Sequence, residues 1–357
     1  MDKIKIRQIC FLFAVMMPVT KMLIYPTTIA YTAKNDLLFS ALINLAIEGV
    51  VIGLLMLLAK KTRLSFFGLV ENTFGKVAAK IVYGIFALFF FISALLPLTE
   101  QKVFVMQVFY ENVPSIISFA PFFFVSFYAC VKGFKCIGRA ADIAMPVFAV
   151  AFTVIMLLSV PHADFGALLP VEAVPFKSIV KGSLSSFNWF TDCAFLLFFM
   201  GNFEYEKNSA KRVIGSFAIG GAAVLLFLAT FYGIFADIAV RQQNTIAQIA
   251  KYTTSFTSLG RIDLLFIFAL TLVMIFYLCV PLQMCVHCVR KVFNDCRPAI
   301  PSAAVNALML GMMILLNYFF NEMQQIMLRG WYFYALFAYA VPLLALLLKK
   351  KKEAAHE

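Results

Sequence analysis

The chain has 357 residues, 63% of them hydrophobic and only 13% charged, with a formal net charge of +12. Ordinary soluble domains run about a quarter charged with about half of their residues apolar, so the composition excludes such a fold and points to a polytopic protein embedded in a lipid bilayer. The positive charge does not indicate a nucleic-acid partner, because Lys and Arg sit in short clusters between apolar runs, where membrane proteins keep their cytoplasmic loops.

A membrane-crossing helix needs about 20 predominantly apolar residues. Ten stretches qualify, near residues 9–33, 37–59, 81–110, 113–131, 141–160, 182–203, 212–236, 262–287, 299–320 and 331–348. The first run is too long for the apolar core of a signal peptide and lacks a small-residue cleavage site, so it is expected to remain as span one. Lys3, Lys5, Arg7, Lys60, Lys61, Arg63, Lys132, Lys135, Arg139, Arg290 and Lys291 fall on the side of the N-terminus, together with the run at 349–352. The other side is far poorer in basic residues, so both termini are expected to be cytoplasmic. The reading is all-α: one transmembrane domain over 1–357, ending in a short basic tail at 349–357.

Span one carries MMPVTKMLIYP at 16–26. Pro18 and Pro26 remove backbone donors and kink or unwind a helix, and Lys21 puts a charge about twelve residues into the apolar run, too deep to snorkel easily. Irregular backbone at membrane depth is tolerated where it is buried in protein or lines a watery cavity. Span one is therefore predicted to be a discontinuous helix whose break faces a site.

Span six, SLSSFNWFTDCAFLLFFMGN, repeats the pattern by placing Ser186, Asn188, Thr191 and Asp192 in mid-run. Ten spans dividing five plus five, with an interrupted first member in each half, fit two inverted repeats, about 9–160 and about 182–348, with a midplane site between the breaks. The candidate ligand-binding residues are Pro18, Thr20 and Lys21 from the first break and Asn188, Trp189, Thr191 and Asp192 from the second. Lys21 and Asp192 are expected to pair, since two unpaired charges at that depth would each be costly. A structural ion pair without a ligand is the plainer alternative.

Glu48 in span two and Glu100 in span three are possible cavity charges, or carboxyls held neutral by hydrogen bonds; Glu100 could equally form a solvated outer pair with Lys102. Phe187, Trp189, Phe190 and Tyr277 could wall a pocket, although with 41 Phe in the chain most rings serve packing or face lipid. Eight cysteines lie mostly within spans or at their cytoplasmic ends, the pattern of small hydrophobes rather than a disulfide framework. Cys285, His287 and Cys288 lack the second ligand pair that a metal needs, so neither metal nor cofactor is expected. No nucleophile, base and oxyanion constellation suggests an enzyme.

Two outer connections are longer than a turn requires. Residues 161–181 are apolar enough to be expected to pack across the bundle, and residues 237–261 place Ile246, Ile249 and Ala250 at helical spacing.

Several stretches together resemble the B-type permease-like subunits of endospore nutrient germinant receptors, which are themselves similar to amino acid/polyamine/organocation transporters. They are the basic start and first span closing on LIYP, KNDLLFSALINLAIEGVVIG, GRAADIAMPVF, DFGALLPV with the following KG, and LGRIDLLFIF. The resemblance implies a protein of the spore inner membrane that binds a small amino-acid-like nutrient. It also implies two kinds of partner, a membrane subunit with a soluble domain and a lipoprotein. Transporters of this fold carry a glycine-rich break in span one. Here Met17, Pro18, Val19, Thr20 and Lys21 stand in its place.

Overall fold

The computed structural model describes residues 4–62, 64–109, 115–171, 173–242, 244–254 and 263–345; the basic tail at 349–357 and the LGRI of LGRIDLLFIF lie outside them. The described residues are helical without strands, apart from one isolated bridge between Ile4 and Phe203. Span two is Leu37–Thr62, span three Lys76–Phe109, span four Ser115–Lys132, span five Phe134–Ser159, span seven Ser209–Phe235, span eight Asp263–Val292 and span nine Ala299–Leu315. Span ten begins at Trp331–Ala335 and continues through a π turn at Leu336–Ala340. Spans one and six are the two broken members, as expected of the inverted-repeat architecture.

Span one starts as helix Ile6–Phe11, widens into a π turn at Leu12–Met16 and closes with Met17–Thr20. Pro18 cannot donate to the carbonyl of Ala14, and that carbonyl and its neighbour at Phe13 turn outward toward span seven. Span seven meets them with Gly220, where a Cβ would lie 2.6 Å from the Phe13 oxygen and 2.7 Å from Pro18 Cγ. Glycine is there because the two backbones touch. The helix then ends in tight turns, with Lys21 N donating to Pro18 O at 2.9 Å and Met22 N to Val19 O at 3.1 Å. The outer half resumes at Tyr25–Ala33 with Pro26 in its first turn, a position where the missing N–H costs nothing. Pro18 thus loosens the inner half, whereas Pro26 starts the outer one, and the unwound part lies at residues 21–24.

Span six runs Phe176–Ser185, passes through a 3₁₀ turn at Phe187–Trp189, and resumes at Asp192–Phe199. Every residue of the resumed half is buried. The ring of Phe198 packs 4.8–5.4 Å from those of Phe86, Phe90, Tyr83 and Phe66, which anchors this short helix against span three and the connecting helix Phe66–Phe74. Span eight lies against spans three and five at the centre of the bundle. The outer half of span six is fastened to span two by a polar ladder on one helix face. Ser40 Oγ donates to Ile179 O (2.8 Å), Asn44 Nδ2 to Ser183 O (3.0 Å), and Ser183 Oγ to Asn44 Oδ1 (2.5 Å).

On the outer side, helix Thr245–Thr254 buries Ile246, Ile249 and Ala250, in agreement with their spacing. Residues 161–181 lie against the bundle, as expected, with Ala167 and Leu168 packed on the core and Ile179 buried. Asp164 N donates to Gly233 O (2.9 Å) and Val174 N to Asp36 Oδ2 (3.0 Å), but Phe165, Leu169, Val171 and Phe176 are 42–73% exposed. Backbone bonds and a part of its apolar side chains hold this segment, while the rest of them stay exposed. On the inner side, Arg7 and Gln8 both donate to the Asp142 carboxylate, at 3.0 and 2.8 Å, tying span one to span five.

Candidate functional site

The two breaks face each other. Lys21, 2% exposed, lies in the unwound turn of span one, and its ammonium pairs with Oδ2 of Asp192, 3% exposed and the first residue of the resumed half of span six. The same ammonium sits 5.1 Å from the centroid of the Phe190 ring. Two charges at this depth persist only because they neutralise each other; either one alone would be strongly destabilising.

Glu48 completes the arrangement from span two. Its Oε1 accepts the backbone N–H of Asp192 at 2.6 Å. A resumed helix begins with unpaired N–H groups, and a carboxyl oxygen accepts the first of them. Glu48 is therefore a cap on the inner half of span six rather than a charge facing a cavity. Ser40, Asn44 and Glu48 stand four residues apart, so a single face of span two grips both halves of span six.

The carbonyls released by the breaks are also satisfied from outside. Thr245 Oγ1 reaches Met22 O (2.6 Å) and Leu23 O (2.7 Å), and the Tyr339 hydroxyl donates to Phe190 O. Both are what the membrane demands of irregular backbone. Neither residue was singled out in the sequence; the only signal was a polar residue at the start of an otherwise buried helical face in one case and a tyrosine in an apolar span in the other.

Beside the ion pair lies a cavity of about 20 Å³, lined by Thr20, Ser93, Asn188, Trp189, Thr191 and Tyr277 among others. That is room for about one water. Thr20 donates to Met17 O at 2.9 Å, and the Tyr277 side chain lies beside Thr20 and Asp192. Of the predicted residues, the structure gathers Thr20, Lys21, Asn188, Trp189, Thr191 and Asp192 around this point. Pro18 instead packs on span seven through Gly220. Glu100 and Lys102 are each 1% exposed, so they do not form a solvated outer pair; Glu100 lies next to Trp189. Cys285, His287 and Cys288 are buried in span eight, with the His287 ring 4.9 Å from that of Phe134.

A family model described as spore germination protein, the spore permeases, matches residues 3–326. The chain belongs to this family. The chain also shares its fold with solved transporters at low sequence identity. MhsT in complex with L-phenylalanine is 11% identical, with a TM-score of 0.66 over 94% of this chain and 90% of its own. A manganese transporter mutant from Eremococcus coleocola is 12% identical, with a TM-score of 0.61 over 94% of this chain and 78% of its own. Mhp1, a nucleobase–cation symport transporter in a closed conformation with bromovinylhydantoin bound, is 13% identical, with a TM-score of 0.59 over 92% of this chain and 78% of its own. No curated protein matches the sequence significantly. The chain is thus a multi-pass, transporter-like membrane protein rather than an enzyme.

Proposed function

We propose that this protein is the integral membrane subunit of a spore nutrient germinant receptor, which binds a small amino-acid-like nutrient between the two breaks and helps to trigger germination. The observation that carries the reading is the Lys21–Asp192 pair bridging the two unwound segments. A zwitterion offers a carboxylate to Lys21 and an ammonium to Asp192, so it can replace each ion's partner without leaving a charge unpaired. Exchange of the internal pair for the ligand gives two arrangements of spans one and six, and differential affinity for them is all that a sensor requires. In the present arrangement the cavity holds about one water, so binding must be accompanied by separation of the two breaks. In this reading both termini are cytoplasmic, the membrane is the inner membrane of the spore, and the partners are a membrane subunit with a soluble domain and a lipoprotein.

The alternative is a permease that moves an amino acid or amine alone, for which the fold itself speaks. Partner dependence separates the two. A receptor subunit co-purifies with the other subunits, and its deletion abolishes the spores' response to a nutrient. A permease takes up labelled substrate after reconstitution by itself in liposomes. Autonomous uptake, with an unchanged germination response in the deletion strain, would overturn the receptor reading.

A further inference from the structure

The segment between spans five and six carries an apolar surface that nothing in the bundle covers. Phe165, Leu169, Val171 and Phe176 stand exposed on it. Backbone bonds fix its depth. Asp164 N donates to Gly233 O, just before span seven ends at Phe235, and Val174 N to Asp36 Oδ2, immediately before span two begins at Leu37. The segment therefore lies level with the ends of the membrane-crossing helices, where hydrocarbon gives way to headgroups. Large apolar side chains gathered in water are costly, whereas the bilayer interface accepts them.

Cations border this surface. The outer half of span six, Phe176–Ser185, buries Ile179 and Ser183 against span two and sets Lys177 and Lys181 on the opposite face, both exposed and one turn apart. Like charges at i and i+4 repel each other, so this pair is unfavourable until an anion lies between them. Lys34 is exposed at the end of helix Tyr25–Ala33, which packs on the same half-span, and Arg241 is exposed on the turn after span seven. The carboxylates of Asp36 and Asp164 already accept the N–H groups of Val174 and Gly166. No carboxylate among the described residues forms an ion pair with these four cations. Apolar side chains beside cations that nothing neutralises match a leaflet with negative headgroups.

We propose that this surface docks an anionic phospholipid, whose phosphodiester sits between Lys177 and Lys181 and whose acyl chains cover Phe176 and the apolar side chains of the preceding segment. A phosphodiester has the negative charge that the two ammonium groups lack and enough acceptor oxygens for both. The lipid holds the outer half of span six at the bilayer surface. This docking surface is separate from the space between the two breaks and stands whether or not a nutrient binds there.

The test uses the intact protein in lipid nanodiscs. Trp331→Phe leaves the buried Trp189 as the background indole, and Phe176→Trp added to it places a reporter beside Lys177. Its emission is compared in phosphatidylcholine discs that carry a small fraction of dibrominated phosphatidylglycerol or of dibrominated phosphatidylcholine, and with acrylamide in the water. The expected result is quenching by the brominated lipids beyond that of the Trp331→Phe parent, at least about threefold stronger for the anionic one at equal mole fraction. Lys177→Gln/Lys181→Gln should bring the two lipids to parity while quenching itself persists. Lys181→Gln alone, expected to lower the preference, serves if the double variant does not fold, and Leu169→Trp is the second reporter if Phe176→Trp does not. Equal quenching by the two lipids in the protein with both lysines would overturn the anionic-lipid assignment. So would a preference that the lysine substitutions leave unchanged. An indole reached by acrylamide and by neither lipid would overturn the surface as a lipid site and leave it to a protein partner.

Discussion

Replacing Lys21 by methionine keeps the length of the side chain and removes the ammonium. The side chains of Lys21 and Asp192 are 3% and 4% exposed, so solvent screens neither charge. Loss of one partner of such a pair costs about 3–5 kcal/mol. Glu48 makes the cost unequal between the two partners. Without Lys21, the Asp192 carboxylate is left unpaired beside the Glu48 carboxyl at the start of one short helix, and the loss should reach the upper end of that range. Asp192→Asn leaves Lys21 with Glu48 still close by and keeps an acceptor, so about 2–3 kcal/mol is expected. The double substitution leaves no unpaired ammonium and should lie within about 1–2 kcal/mol of the wild type. Equilibrium unfolding in mixed detergent–SDS micelles measures all three, and the interaction energy of the cycle should be at least about 3 kcal/mol. Additive effects, or a methionine variant as stable as the wild type, would refute a buried pair that joins the two breaks.

Gly220→Ala places a Cβ 2.6 Å from Phe13 O; the overpacking of about 1–3 kcal/mol should appear as a lower unfolding midpoint despite alanine's better helix propensity. Thr245→Val removes the hydroxyl that reaches the Met22 and Leu23 carbonyls. It should cost about 1–3 kcal/mol and speed amide hydrogen exchange selectively at residues 21–24. By contrast, Arg7→Ala deletes an ion pair whose arginine side chain is 62% exposed. Its effect on the same unfolding curve should stay within about 1 kcal/mol.

The ten spans and both breaks were legible because the membrane leaves few options. An apolar run of spanning length must be a helix, and a proline or a charge inside it must be accommodated by protein. Lys21 and Asp192 could be paired on paper because no other way of burying either is cheap. What satisfied the remaining backbone was harder to see. Glu48 reads as a charge in an apolar span, and its role as a helix cap depends on an N–H that exists only once span six breaks at Asp192. Thr245 and Tyr339 act across more than a hundred residues of chain, where no local pattern points. Residues 161–181 lie against the bundle as their apolar content suggested, but which side chains are buried was not legible: Ala167, Leu168 and Ile179 pack inward, whereas Phe165, Leu169, Val171 and Phe176 stay exposed and backbone bonds to Gly233 and Asp36 help to fix the segment.

If the nutrient acts at the ion pair between the breaks, the Lys21→Met/Asp192→Asn double variant isolates that role because it removes both charges together. The measurement is the nutrient concentration giving half-maximal germination in spores that carry this variant at wild-type membrane levels. A shift of at least about tenfold or complete loss of the response is expected. An unchanged half-maximal concentration, at that same protein level, would show that the pair is structural and that the nutrient binds elsewhere.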